Sequence, residues 1–220
     1  MPNALAGGGA TSPESPGSDG GTATRSILIK AGRALFAKRG FDGASVRAIT
    51  TGAGTNLGAI TYHFGSKRGL YSAALEECLR PIEARVLQAA EAEGSGLDRM
   101  LRVVEAYFDH FQEHPDLPHL LLQEVAAGKR PPDVVLEILM NVKDTISSLH
   151  EQGVRDGSVR PGSALLSALS VVSQPVYLTL VAPLLRQVGG VDLNDPHVRE
   201  GVLDHIRTFV RAGLESRAEA

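Results

Sequence analysis

The amino-acid sequence predicts an all-α protein. Apolar residues recur three and four positions apart through almost every segment after residue 21, and Gly and Pro mark the breaks between segments. No segment alternates convincingly between apolar and polar residues, as a half-buried strand would. The hydrophobic content of 43% over 220 residues is ordinary for a soluble protein, with enough chain for one large domain or two small ones.

The first 21 residues predict a disordered arm, since they are rich in Gly, Ser, Pro and Ala and contain no apolar run. They also lack the basic start and the apolar centre of a signal peptide. Cys78 is the only cysteine, which excludes an intrachain disulfide, and we expect its side chain to pack in the core. These observations favour a cytoplasmic protein.

Residues 24–39 predict the first helix, because their apolar side chains lie at helical spacing. Gly40 follows a basic pair at the point where this helix is expected to end. We expect Gly40 to adopt the left-handed C-cap geometry of a Schellman end, with Phe41 folded back onto Phe36.

Two short helices follow. Residues 45–51 predict a helix with Ser45 as its N-cap, and the Gly-containing residues 52–55 predict a tight turn. Asn56 is then expected to cap a helix that ends near residue 64. Helix, short turn and helix in this order are typical of the helix-turn-helix motif, whose second helix enters the major groove of DNA.

The second helix of this motif has two different faces. Leu57, Ile60 and Phe64 lie three and four residues apart, which predicts that they face a core. The opposite face and the helix start carry Gly58, Ala59, Tyr62 and His63. The small Gly58 is expected to allow the first turn to approach a partner closely.

Charge is distributed unevenly along the chain. Residues 22–71 contain 8 basic residues and a single acidic one, whereas the whole chain has a formal net charge of −3. A basic module is therefore attached to an acidic body. Basic side chains release counterions when they bind phosphate, so this pattern favours DNA as a partner.

The rest of the chain also predicts helices, with Pro81 as an expected kink in the first of them. These helices are expected at residues 66–93, 97–114, 117–127, 132–152, 163–186 and 197–216.

The segment from Ser163 to Leu185 contains no charged residue and is long enough to cross a membrane. We predict no membrane span, because several serines and two prolines interrupt the apolar run. A helix that is apolar nearly all round is better explained by burial on two sides, one against its own domain and one against a partner subunit.

The N-terminal residues resemble the DNA-binding domain of TetR-family transcriptional repressors. The resemblance is carried by KRGF at residues 38–41, DGASVRAIT at 42–50 and NLGAITYHFGSK at 56–67. It covers about residues 24–75, and the YHF followed by GSK is its most specific part.

The resemblance implies a DNA-binding domain at residues 22–70 and a helical effector-binding and dimerisation domain at 71–220. The segments near 163–186 and 197–216, the second with Val202, Ile206 and Phe209 on one face, resemble the helix pair of the family's dimer interface. The expected function is a repressor that binds a palindromic double-stranded DNA operator as a homodimer. A small-molecule effector is expected to release it, and no cofactor is expected.

The resemblance also implies which residues contact DNA. They are Ser45, Arg47, Asn56, Gly58, Ala59, Thr61, Tyr62, His63 and Lys67. Tyr62 and Lys67 are expected to bind phosphate. Thr61 stands where many members carry Tyr, and position 59 is Ala, so direct base readout is expected to be sparse. For His63, a structural role in the motif is the alternative.

The effector pocket is expected among the middle helices, as a mostly apolar cavity with a few polar anchors. The candidate residues are Tyr107, His110, Phe111, Gln123, Gln174 and Tyr177. His110 and His114 are four residues apart, with His119 nearby, and would suit a metal. However, an imidazole at a helix end more often interacts with the last carbonyls, and we predict no metal site.

The alternatives to a ligand-responsive regulator are an enzyme and a DNA-binding protein without an effector. The chain lacks a Gly-rich phosphate loop, a nucleophile elbow and paired carboxylates with a cavity signature, so we predict no enzyme. An activator or an architectural DNA binder without an effector remains the more serious alternative.

Overall fold

The computed structural model describes residues 18–126, 128 and 130–216. These residues form nine α-helices and no strand, which confirms the all-α prediction. The helices are α1 (Ser18–Gly43), α2 (Val46–Gly52), α3 (Gly58–Phe64), α4 (Lys67–Glu91), α5 (Gly96–Glu113), α6 (Leu117–Ala126), α7 (Asp133–Asp156), α8 (Ala164–Gly189) and α9 (Pro196–Leu214).

The helices lie close to their predicted positions, with one difference at the N-terminus. α1 begins at Ser18, so residues 18–21 belong to a helix and not to the predicted arm. The remainder of that arm, residues 1–17, lies outside the described residues. Pro81 lies inside α4, which continues on both sides of it.

The N-terminal domain packs α1, α2 and α3 against the start of α4. Its buried core includes Leu28, Ile29, Phe36, Ile49, Ile60 and Leu70. Gly40 has a φ of 70°, positive as predicted, but its ψ of 173° lies outside the left-handed helical region, and α1 continues beyond this kink to Gly43. Phe41 folds back as expected, with its ring centroid 6.0 Å from that of Phe36. The same rings pack against Tyr71 of α4, which joins the motif to the second domain.

The second domain is built around α5, which packs against α4, α7, α8 and α9. Gly96 at the start of α5 meets Gly153 of α7 so closely that a Cβ on Gly96 would lie 2.3 Å from the Gly153 backbone nitrogen. Ser95 and Asp98 form a capping box at the same end of α5. Cys78 is buried as predicted, and burial raises the pKa of its thiol to about 11.

Several polar contacts join the two domains. Arg33 of α1 forms a bidentate ion pair with Asp116, which precedes α6, and its Nε lies 2.6 Å from Asp116 Oδ2. Gln123 of α6 donates to the backbone oxygen of Ala37 at 3.3 Å. Arg68 of α4 donates to the backbone oxygen of Arg130 at 3.1 Å. Any shift of α6 therefore acts directly on α1.

The long helix α8 has a buried and an exposed apolar side. Its inner side packs against α5 and α7 through Ala168, Val171, Pro175 and Thr179. The exposed residues recur at helical spacing: Leu166, Leu169, Ser173, Tyr177, Leu184 and Val188. By length and hydropathy α8 would suit a membrane span, with 22% of its most apolar window buried within the chain.

Candidate nucleic-acid interface

The helix-turn-helix motif forms as predicted at its first helix. Ser45 caps α2, and its Oγ accepts from the backbone nitrogen of Ala48 at 3.1 Å. Thr50 is buried and donates its hydroxyl to the backbone oxygen of Val46. Gly54 has φ 64° in the turn that leads to α3. The Ser45 cap, the buried Thr50 and the turn at Gly54 together fix the orientation of α3 relative to α2.

Two predictions for the start of α3 are wrong. The N-cap position is Leu57, without a side-chain cap bond, and Asn56 accepts only through its backbone oxygen, from Ala59 at 3.2 Å. Leu57 was expected in the core, but 57% of it is exposed. Helical periodicity predicted that Leu57 lies on the same side of α3 as Ile60. However, the core does not extend to the first turn of this helix, so the Leu57 side chain lies on the surface.

α3 presents a surface that the rest of the domain leaves uncovered. Tyr62 is 84% exposed, and Gly58 and Thr61 are exposed as well. Ile60 on the opposite side is 1% exposed and anchors the helix in the core. His63 is half-buried, with its ring centroid 4.8 Å from that of Tyr62. The imidazole therefore both supports Tyr62 and remains partly accessible.

Basic side chains flank this surface. Arg47 of α2 is exposed. Arg25 of α1 lies over the ring of Phe64 at the end of α3, with its Cζ 5.3 Å from the ring centroid. These cations from two helices give the edges of the α3 surface a positive charge, which suits a phosphate backbone.

Lys67 lies in a different environment from the one predicted. Its Nζ donates to the backbone oxygens of Phe41 at 2.8 Å and Ala44 at 3.0 Å, and it lies 4.4 Å from the Phe41 ring centroid. The ammonium group therefore ties the start of α4 to the segment between α1 and α2. A lysine has three donors, so one remains for a phosphate.

Removing the Lys67 charge should destabilise the N-terminal domain. We expect Lys67→Met to lower its free energy of unfolding by about 1–2 kcal/mol, because two charge-assisted hydrogen bonds to a half-buried ammonium are lost while the aliphatic stem is kept. Urea unfolding and amide exchange across residues 41–71 measure this. Lys38→Met, at an exposed lysine of α1, is the matched control. Unchanged exchange in Lys67→Met would leave the lysine with a DNA role alone.

Gly69 is a site residue that sequence reasoning missed. A Cβ at this position would lie 2.0 Å from the carbonyl oxygen of Phe64, the last residue of α3. α4 and α3 can approach this closely only because Gly69 has no side chain. The available signal was a glycine three residues after the helix cap Ser66, where its low helix propensity calls for another explanation.

The predicted effector residues do not gather in one cavity. Tyr107, His110 and Phe111 are buried in the core of α5, whereas Tyr177 is 62% exposed on α8. The Gln123 side chain bonds to the DNA-binding domain through Ala37, as described above, and Gln174 is half-buried. These residues were predicted from their chemical type. Because successive residues of a helix point in different directions, their side chains lie on different sides of the domain.

A different cleft lies between α5, α6, α8 and the connection to α9. Its volume is about 730 Å³, and its lining includes Gln112, His119, Thr179, Arg186 and Asn194. Two lining atoms, Gln112 Nε2 and Thr179 Oγ1, are buried and without a hydrogen-bond partner within the described residues. Unpaired buried polar atoms are costly, so they are candidates for binding a ligand.

His110 is entirely buried in α5. Its Nε2 lies 2.8 Å from the backbone oxygen of Cys78, and because a carbonyl only accepts, Nε2 carries the proton. Burial, with a smaller effect of His114, lowers the pKa of His110 to about 4, so the ring is neutral at physiological pH.

Known families match both halves of this architecture. A family model described as bacterial regulatory proteins of the tetR family matches residues 28–74. A model described as the tetracyclin repressor-like C-terminal domain matches residues 97–210. The two matches fall on the helix-turn-helix domain and on the helical domain.

Individual proteins give the same result. The chain is 26% identical to the HTH-type transcriptional regulator UidR of Escherichia coli K12 over 170 residues, 77% of this chain and 84% of that protein. It is 33% identical to the HTH-type transcriptional repressor NicS of Pseudomonas putida over 106 residues, 46% of this chain and 48% of NicS. Its fold is similar to that of the ketosteroid transcriptional regulator KstR2 of Mycobacterium tuberculosis, with a TM-score of 0.71 at 20% identity, covering 88% of this chain and 95% of that one.

Proposed function

The chain belongs to the tetR family of bacterial regulatory proteins and is a DNA-binding transcription regulator, and from that premise we propose that it is a ligand-responsive repressor. In this proposal a cytoplasmic homodimer binds a palindromic operator through α3, and a small-molecule effector releases it. The exposed α3 surface carries the proposal.

The DNA contact we propose is centred on Tyr62. This side chain is 84% exposed on a helix whose other side is fixed by the buried Ile60. Tyr62 can therefore enter a groove of DNA without disturbing the packing of the core. Arg47 and Arg25 lie on the flanking helices, where they can reach phosphates. Gly58, which has no side chain, and the small Thr61 are exposed and allow a close approach, whereas Ala59 is half-buried against the core. Leu57 adds an apolar contact for a thymine methyl group.

The proposed dimer joins two copies through the exposed side of α8. Exposed leucines at helical spacing form a contiguous apolar strip, which is typical of an interaction surface. Exposed serines among them argue against a bilayer as the cover. From α9, Phe209 is 58% exposed and adds to this surface. Of the three α9 residues predicted to share a face, Ile206 is entirely buried and Val202 packs against the core, so Phe209 is the one that we propose contacts the partner.

The proposed effector site is the cleft of about 730 Å³ lined by Gln112 and Thr179. Its size suits a small organic molecule, and its two unpaired polar atoms supply the orienting contacts. His119 of α6 also lines it. Since α6 contacts α1 through Gln123 and the adjoining Asp116, a ligand that displaces α6 would change the spacing of two α3 helices in a dimer. Half-sites about 34 Å apart leave little tolerance for such a change.

Replacing Tyr62 tests the DNA-binding part of the proposal. We expect Tyr62→Ala to weaken operator binding by about tenfold or more, with unfolding free energy within about 0.5 kcal/mol of the parent, because the side chain makes few contacts within the chain. Fluorescence anisotropy with a labelled operator fragment and urea unfolding measure the two effects.

The matched variant is Tyr62→Phe, which keeps the ring and removes the hydroxyl. If Tyr62 donates to a phosphate, Tyr62→Phe should bind less tightly by a similar factor at all DNA sequences. Tyr62→Ala protein that binds operator like the parent would contradict the proposed position of α3 in the groove.

A further inference from the structure

The last turn of α5 and its C-cap residue carry three side chains of the kind that bind metals. His110, Glu113 and His114 lie at positions i, i+3 and i+4, so they share one side of the helix. One candidate ligand atom from each lies within 4.8 Å of the others. The ring centroids of His110 and His114 are 4.7 Å apart. Imidazole nitrogens with a carboxylate are a ligand set that suits Zn²⁺ and Co²⁺.

His110 has one ring nitrogen available for a metal. Its Nε2–H donates to the backbone oxygen of Cys78, which leaves Nδ1 with a lone pair. Nδ1 is buried and has no hydrogen-bond partner in the part of the chain that the structure describes. Metal-binding histidines usually donate their other ring nitrogen to a carbonyl or a carboxylate in this way. A cation would therefore satisfy an atom that is otherwise unpaired.

The other two groups are held by arginines from neighbouring helices. Nδ1 of His114 lies 3.2 Å from an Arg33 guanidinium nitrogen, and since arginine only donates, Nδ1 accepts. Glu113 accepts from Arg85 of α4 at 2.7 Å. Arg33 is the same residue that pairs with Asp116 across the two domains. The atoms that a metal needs thus also hold α1 and α4 to α5.

We propose that His110, Glu113 and His114 bind a divalent transition-metal cation such as Zn²⁺ and that binding releases Arg33 from His114. A cation on Nδ1 of His114 takes the place of the guanidinium. A cation on Nε2 requires the ring proton to lie on Nδ1, where it faces the Arg33 donors. Either mode removes the hydrogen bond from Arg33 to His114. Coordination of the cation by Glu113 likewise removes the hydrogen bond that Arg85 donates to Glu113. Water completes the four-coordinate shell.

The arginines also limit the affinity of this site. Two nearby guanidinium groups oppose a second cation, so binding is weaker than at a structural zinc site. Because metal and Arg33 compete for His114, occupancy of the site is linked to the position of α1. The effect on DNA rests on the proposed function, whereas binding of the metal does not.

A cobalt titration tests the site directly. Chelator-treated, untagged full-length protein is titrated with Co²⁺ and followed by visible absorption, and Zn²⁺ is then added to displace the Co²⁺. We expect one Co²⁺ per chain, displaced by Zn²⁺, and a loss of affinity of about tenfold or more in His114→Gln and in Glu113→Gln. His197→Gln, at an exposed histidine of α9, is the matched control and should bind like the parent.

Two outcomes would overturn the metal site: no Co²⁺ spectrum at millimolar Co²⁺, or a spectrum that both variants retain. His110→Gln is a third variant, and circular dichroism shows whether it folds. If it does not fold, the more accessible His114 and Glu113 still decide the question.

Operator binding with and without Zn²⁺ tests the coupling. We expect Zn²⁺ to change operator affinity several-fold in the parent and not in His114→Gln. Metal binding without a change in operator affinity would overturn the proposed coupling between metal and DNA binding, while the metal site itself would stand. A protein that binds Co²⁺ as expected but no operator would count against the proposed function alone.

Discussion

Gly69→Ala should disorder the helix-turn-helix motif and abolish operator binding. The added Cβ would lie 2.0 Å from the carbonyl oxygen of Phe64, a backbone atom that cannot move without moving α3. We expect a loss of about 2–3 kcal/mol in the unfolding free energy of the N-terminal domain, the range that overpacking produces. Amide exchange across residues 56–71 should rise, while α5 and α7 exchange as in the parent.

Gly52→Ala is the control for this substitution. Gly52 lies in α2 with nothing within 4 Å of an added Cβ, and its φ is not in the positive range. Alanine should therefore be neutral or slightly stabilising there, as in other helices. Gly69→Ala protein with normal exchange and normal operator binding would mean that α3 and α4 do not need their close approach.

A double substitution of Leu166 and Leu169 by Glu should convert the protein to monomers. Both side chains lie on the exposed side of α8, at 62% and 59% exposure, so the charges do not disturb the core of the subunit. In a dimer the same carboxylates would be buried against apolar side chains, which is strongly unfavourable. Analytical ultracentrifugation measures the change in mass.

The monomer should bind operator at least about a hundredfold more weakly, because it loses the second half-site. Leu122→Glu provides the control, since Leu122 is 51% exposed on α6, outside the proposed interface. A dimer that survives both glutamates would place the subunit contact on another surface.

Local sequence signals predicted the helices well. Ser45 caps α2 as predicted, whereas Asn56 does not cap α3. Ser66, Ser95 and Asp195, which were not predicted as caps, also stand as N-caps directly before their helices. Caps and helical periodicity depend on residues within one or two turns, so they can be read from the chain without knowledge of the fold. The same signals placed the helix-turn-helix motif correctly.

Long-range contacts could not be predicted in this way. The resemblance to the family implied a phosphate contact for Lys67, but no local pattern indicated that its ammonium group also bonds to carbonyl oxygens more than twenty residues away in the chain. The pair of Arg33 and Asp116 joins residues separated by 83 positions. The arrangement of the predicted effector residues could not be read from the chain for a related reason, since residue type does not determine which side of a buried helix faces a cavity.

The proposed function depends most on the binding of DNA by a dimer through α3. We would measure binding of the purified protein to fragments of the DNA upstream of its own gene, at two salt concentrations, with the number of chains per duplex determined by ultracentrifugation. Selective binding by two chains per site, weaker at higher salt and weakened about tenfold or more in Tyr62→Ala, is the predicted result. Uniform weak binding, or selective binding that Tyr62→Ala retains, would contradict the account.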